Sequence, residues 1–178
     1  GVGRCGEWFA HQHYGVEPDI MALAKGIGGG VPLGAMVARA DVATGFGRGS
    51  HATTFGGNPL ATRAGLAVLD TIEADGLLAN ARAMGERLRA GLASLADAHP
   101  SVREVRGLGL LNGVVLHGSA DDAARVVAGA RGRGLLLNTA GGTVLRLVPP
   151  LTVSAAEVDR AIDLNLVAIR NANEHAIQ

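Results

Sequence analysis

The chain of 178 residues is short of several things, and each shortage removes a class of function. It has a single cysteine, Cys5, so no internal disulfide can form and no Cys-x-x-Cys pair exists for zinc or redox chemistry. A reducing, cytoplasmic setting is expected. Lysine plus arginine balances aspartate plus glutamate, 16 against 16, which leaves no electrostatic footprint for nucleic acid or an anionic membrane. No apolar run approaches the roughly 20 residues of a membrane span. The opening Gly1-Val-Gly-Arg4 has neither an initiator methionine nor a capped element, and reads as the interior of a longer protein. Aromatics are few: one tryptophan, one tyrosine and three phenylalanines. The scarcest residue is lysine. Of the 16 basic residues, 15 are arginines and the only lysine is Lys25, so any side-chain amine chemistry falls to it.

What is present, an apolar fraction of 48% with 27 glycines, describes a globular α/β protein with ample core and a small-molecule partner. Gly1 to Pro18 reads as a loop with a short helical patch. His11 and His13 stand two apart without an accompanying acid or thiol cluster, which favours structural roles over metal ligation. Asp19 to Ala24 is a short apolar run of the kind buried in a parallel sheet, and it delivers Lys25 to a strand end. The glycines that follow, Gly26 to Gly34, let backbone approach a ligand closely. They are not a P-loop, since the lysine precedes them. Ala35 to Ala38 is a second strand, and Asp41 is a candidate cap for a short helix through Phe46.

Thr53-Thr54-Phe-Gly-Gly-Asn58-Pro59 leads into an amphipathic helix over 60–74, with Asn58 at the N-cap and Pro59 at the first helical position. Hydroxyls and glycine amides ahead of a helix N-terminus suit an anion, although a polar turn with an ordinary cap accounts for the same residues. A long helix follows over 77–98, its Leu88, Leu92 and Leu95 at helical spacing. Beyond Pro100 the pattern predicts a strand through 102–116, a helix over 120–131, a hairpin of 135–138 with 144–148 across Gly141-Gly142, and a closing helix from Ser154 to about Asn173 with a Ser154/Glu157 capping box. A domain boundary is placed near Gly76, dividing 1–76 from 77–178. Arg146 alternates with Leu145 and Leu147 and so faces away from them. It is either a solvated surface arginine or a planar fork for a carboxylate.

The segments Gly1-Val-Gly-Arg4, Pro18-Asp-Ile-Met-Ala-Leu-Ala-Lys25-Gly-Ile-Gly-Gly-Gly30, Thr53-Thr-Phe-Gly-Gly-Asn-Pro-Leu-Ala61 and Leu145-Arg-Leu-Val-Pro-Pro-Leu151 together resemble the class III, pyridoxal-phosphate-dependent aminotransferases, essentially end to end. The match corresponds to the C-terminal portion of the family's usual chain. The resemblance implies the tail of an aspartate-aminotransferase-like large domain followed by an α+β small domain. It makes Lys25 the residue that bonds pyridoxal 5′-phosphate and then moves the substrate's proton, a task that burial assists by favouring the neutral amine. Thr54 matches the phosphate contact, donated to the neighbouring subunit of a homodimer. Thr53 matches a substrate contact, and Arg146 the arginine that holds the carboxylate of the amino or 2-oxo acid.

The implied reaction transfers the terminal amino group of N-acetylornithine to 2-oxoglutarate, a step of arginine biosynthesis. Ornithine, succinylornithine and 4-aminobutyrate are the alternative donors within the family. The family's ring-nitrogen aspartate, its ring-stacking aromatic and its glycine-rich phosphate loop lie upstream of the opening glycines and have no match here. The chain by itself is therefore expected to bind cofactor poorly, to turn over little, and to expose parallel strands and apolar helix faces. A non-catalytic remnant or interaction domain is the reading from another class.

Overall fold

The computed structural model describes residues 1–174, and these fall into two compact units, Gly1–Leu78 and the residues from Ala79 onward. In the first, the glycine-rich start folds through tight turns, with the Gly3 amide donating to the Trp8 carbonyl at 3.1 Å, into a 3-10 turn over Ala10–Tyr14. The two histidines here hold backbone: a ring nitrogen of His11 lies 2.7 Å from the Val16 carbonyl, and one of His13 lies 2.9 Å from that of Cys5.

Strand β1 (Ile20–Leu23) forms where the apolar run predicts one, but its setting differs. It pairs antiparallel with β2 (Ala35–Ala38), Ile20 opposite Ala38 and Leu23 opposite Ala35, in a two-stranded sheet. The expected parallel neighbour is replaced because the glycine-rich connection turns the chain straight back on itself. Neither strand is buried, and Ile20 and Val37 remain 54% and 52% exposed. Arg39 closes the open end of this ribbon, its guanidinium reaching Asp19 at 3.1 Å and Asp41 at 3.0 Å. The expected Asp41 cap is thereby corrected. Helix α1 is only Ala40–Ala43, Arg39 occupies its N-cap, and the Asp41 carboxylate is engaged by Arg39. Helix α2 (Pro59–Ala74) starts as the sequence predicts, the Asn58 side chain accepting from the Ala61 amide at 3.0 Å.

The second unit begins two residues into helix α3 (Leu77–Ala98). A four-stranded antiparallel sheet of order β3-β4-β6-β5 is built from β3 (Val102–Leu108), β4 (Leu111–Leu116), β5 (Asn138–Ala140) and β6 (Val144–Leu147). Helices α4 (Ala120–Arg131) and α5 (Ala155–Glu174) complete it. Leu88, Leu92 and Leu95 of α3 join Val114, Leu145, Leu147, Val126 and Ile169 in one core. Each such side chain contributes about 1.5–3 kcal/mol when fully buried.

Two expectations are corrected in this unit. The single strand predicted over 102–116 is a hairpin that turns at Gly109-Leu110, with Leu108 opposite Leu111. The turn is hidden in the sequence because Leu110 is fully buried, so hydrophobicity runs through it unbroken. The Gly109 carbonyl also sits 2.2 Å from where a Cβ at Gly85 would stand, so α3 meets this turn backbone to backbone. Likewise the strand expected over 135–138 begins only at Asn138, and 135–137 instead walls a cavity. The capping box of α5 forms as predicted, the Ser154 amide donating to Glu157 at 2.8 Å and the Glu157 amide to Ser154 Oγ at 3.3 Å.

Candidate active site

Lys25 follows β1 after one extended residue, Ala24, and opens a 3-10 turn over Lys25–Gly28. Its φ is +56°, which makes it the non-glycine residue in left-handed backbone among those described. For an L-residue that conformation costs roughly 1–2 kcal/mol, so the surrounding packing has to enforce it. The enforcement is visible. Ile27 and Gly28 are buried, and α2 lies against the turn, with a Cβ at Gly65 placed 2.7 Å from Leu33 Cδ2 and one at Gly29 placed 3.0 Å from Val68 Cγ2. Glycine on both elements permits this approach. The strained position thus stands on a clamped base.

An open cavity of about 470 Å³ adjoins it, lined by Lys25, Gly26, Gly30, Val31, Pro32 and Leu33. The lining is backbone-rich and carries one amine and no carboxylate. Lys25 is itself exposed, so the burial expected of a reacting amine is not supplied within this unit.

Thr53 and Thr54 occupy the loop that enters α2, and both are exposed. Asn58 shapes that loop from its far end, its side-chain amide donating to the Phe55 carbonyl at 2.9 Å while its oxygen caps the helix. Gly56 is sterically required, since a Cβ there would stand 2.1 Å from Thr53 Cγ2. The hydroxyls are therefore presented by a compact turn at the start of the helix that backs the Lys25 turn. They do not line the Lys25 cavity.

Arg146 lies in the second unit. On β6 the alternation reads as expected, Leu145 and Leu147 buried and Arg146 exposed. It is not simply a solvated arginine, because it borders a cavity of about 470 Å³ walled by Leu135 to Leu137, Val148, Pro149 and Pro150. Its Nε donates to Asn138 Oδ1 at 3.0 Å from the directly opposite position of β5. Asn138 was not marked by its own residue type. The signal that places it is the Gly141-Gly142 turn, whose register sets residue 138 opposite residue 146.

Among the described residues no group of three His, Cys, Asp or Glu gathers as metal ligands would, and no helix is long and apolar enough to cross a membrane.

A family model for class-III aminotransferases matches residues 1–168. Acetylornithine aminotransferase of Synechocystis sp. is 50% identical over 173 residues, covering 95% of this chain and 40% of the relative. That of Thermosynechococcus vestitus is 52% identical over 164 residues, covering 91% and 40%. The chain thus spans about 40% of the length of the curated relatives it matches. Among solved structures, the acetylornithine aminotransferase of Elizabethkingia anophelis superposes with a TM-score of 0.90 at 30% identity, covering 96% of this chain and 43% of that one. The ornithine aminotransferase of Toxoplasma gondii, which carries partially occupied PLP at its active site, superposes at 0.93 with 33% identity, covering 100% and 43%.

Proposed function

The chain belongs to the class-III aminotransferases, a family that works with pyridoxal 5′-phosphate, and on that premise we propose that it carries the lysine-bearing part of an acetylornithine aminotransferase. The reaction would move the terminal amino group of N-acetylornithine to 2-oxoglutarate, yielding N-acetylglutamate semialdehyde and glutamate, in arginine biosynthesis. The observation that carries this reading is Lys25, the only lysine of the chain, held in left-handed backbone beside a cavity that Gly26 and Gly30 help to line.

The residues present fit the cofactor. An aldehyde needs a nucleophilic amine, and a flat ring needs walls without bulky side chains, which Gly26 and Gly30 leave open. When bound, pyridoxal phosphate supplies the electron-withdrawing ring that makes the C–H bond beside the transferred amine breakable. Lys25 Nζ would hold the cofactor's aldehyde carbon and, once released, would take up that proton and return it. Thr54 Oγ1 would donate a hydrogen bond to the phosphate, and since Thr54 lies outside the lining of the Lys25 cavity, that phosphate would be the one held by the neighbouring subunit of a homodimer. Thr53, on the same turn, contacts substrate.

Arg146 presents Nη1 and Nη2 to a carboxylate, chiefly that of the 2-oxo acid, because the donor reacts at the end remote from its α-carboxylate. The remainder of the enzyme covers the exposed faces of β1, β2 and α2 and dries the amine, in a cytoplasmic homodimer. The relatives near 50% identity favour N-acetylornithine over ornithine, although ornithine aminotransferases share the architecture. The competing donors separate in a direct assay. The full enzyme offered N-acetylornithine, ornithine, succinylornithine and 4-aminobutyrate with 2-oxoglutarate should show its highest kcat/KM for N-acetylornithine. A higher value for any other donor overturns the assignment.

A further inference from the structure

We propose that Asn138 is a positioning residue for Arg146, fixing the guanidinium so that its two terminal nitrogens, rather than its edge, meet the substrate carboxylate. The inference rests on the carboxylate role of Arg146 given above. Asn138 and Arg146 are directly opposed on β5 and β6, so their side chains leave the same face of the sheet. Asn138 Oδ1 accepts from Arg146 Nε at 3.0 Å. Among the described residues Nη1 and Nη2 carry no hydrogen bond, and the guanidinium borders the cavity formed with Leu135 to Leu137 and Pro149.

An arginine can offer a carboxylate either its Nε–Nη edge or its Nη1–Nη2 end, and these two forks point in different directions. With Nε already occupied, only the end-on fork remains. An unrestrained arginine would have to lose several rotatable bonds' freedom when substrate binds, and the Asn138 bond removes part of that loss in advance. The acceptor is neutral, which matters. A carboxylate in its place would orient the arginine equally well and compete with the substrate for its charge.

The test uses the full enzyme in a double-mutant cycle. Asn138→Ala should raise KM for 2-oxoglutarate about fivefold, the effect of one modest hydrogen bond, while kcat stays within about twofold. The dissociation constant of glutarate, a dicarboxylate that cannot react, should rise by the same factor in calorimetry. On an Arg146→Ala background the Asn138→Ala change should add nothing. If Arg146→Ala raises KM and Asn138→Ala leaves both KM and glutarate affinity unmoved, or if the two changes are additive, the positioning role is overturned alone. If Arg146→Ala itself leaves KM unchanged, the carboxylate reading fails and this inference falls with it.

Discussion

The two units of this chain differ in how much of their apolar surface they cover themselves. In the second, Leu88, Leu92, Leu110 and Leu145 are each at most 1% exposed, and α3, α4 and α5 enclose them against the sheet. In the first, Ile20, Val37 and Leu66 stay more than half exposed and Phe55 is 82% exposed. Yet the first unit holds Lys25, in strained backbone, with the two threonines. The second unit holds Arg146, at the edge of its own cavity. The exposed apolar surface is thus concentrated in the unit that carries Lys25, and the closely packed core in the unit that carries Arg146.

That contrast can be broken at several points. The largest effect is expected from Lys25→Ala in the full enzyme, which should reduce transamination by at least about a thousandfold, the combined loss of nucleophile and proton carrier, with the circular dichroism spectrum unchanged. Activity within tenfold of the parent would remove Lys25 from the reaction. Next in size, Leu88→Ala should destabilise the second unit by about 2–5 kcal/mol in denaturant melts. Leu66→Ala, on the exposed side of α2, should cost this chain well under about 1 kcal/mol. Equal costs would mean that the two units are not differently packed. Arg146→Ala should raise KM for 2-oxoglutarate about 10- to 100-fold with a smaller change in kcat, as expected for losing charge-assisted hydrogen bonds.

A smaller effect separates geometry from chemistry at one position. Both Lys25→Gly and Lys25→Ala lose the amine, but glycine accepts φ +56° without strain, so it should be the more stable of the two by about 1 kcal/mol. A less stable glycine variant would show that the left-handed turn carries no strain.

The last comparison is acid titration. In the second unit Glu157 is held below the usual carboxylate range by the Ser154 amide and hydroxyl, Asp122 by the Ser119 amide and hydroxyl, and Asp159 by its pairing with Arg87. A depressed folded-state value means that the unfolded chain binds protons more readily. Their stabilising effect is complete above about pH 4 and fades as pH falls through the lower folded-state values. The thermal midpoint of this unit should therefore drop between about pH 4 and pH 2, and Glu157→Gln should remove part of that slope. A midpoint independent of pH over that range would contradict the account.

Local signals in the sequence transferred to the structure, and non-local ones did not. Asn58-Pro59 and Ser154/Glu157 mark helix starts because a cap is a contact within three residues, and both form as read. The period of Leu88, Leu92 and Leu95 marks a core face for the same reason. Pairing of strands is different in kind. Nothing within Asp19 to Ala24 states whether its neighbour is parallel, and the antiparallel partner β2 is set by the turn that follows Lys25. The buried Leu110 concealed a hairpin, and the register of β5 against β6 concealed Asn138. Lys25 stands out in the sequence by its singularity and its motif. Its left-handed φ and the glycine packing of α2 behind it do not, since that packing joins residues distant in the chain, Gly65 with Leu33 and Gly29 with Val68.

The central claim is that Lys25 is the amine that bonds the cofactor, and one measurement reaches it directly. The full enzyme incubated with pyridoxal phosphate, reduced with borohydride and digested should yield a single pyridoxyl adduct, located on Lys25 by mass spectrometry. An adduct on any other residue, or none at saturating cofactor, would contradict the account.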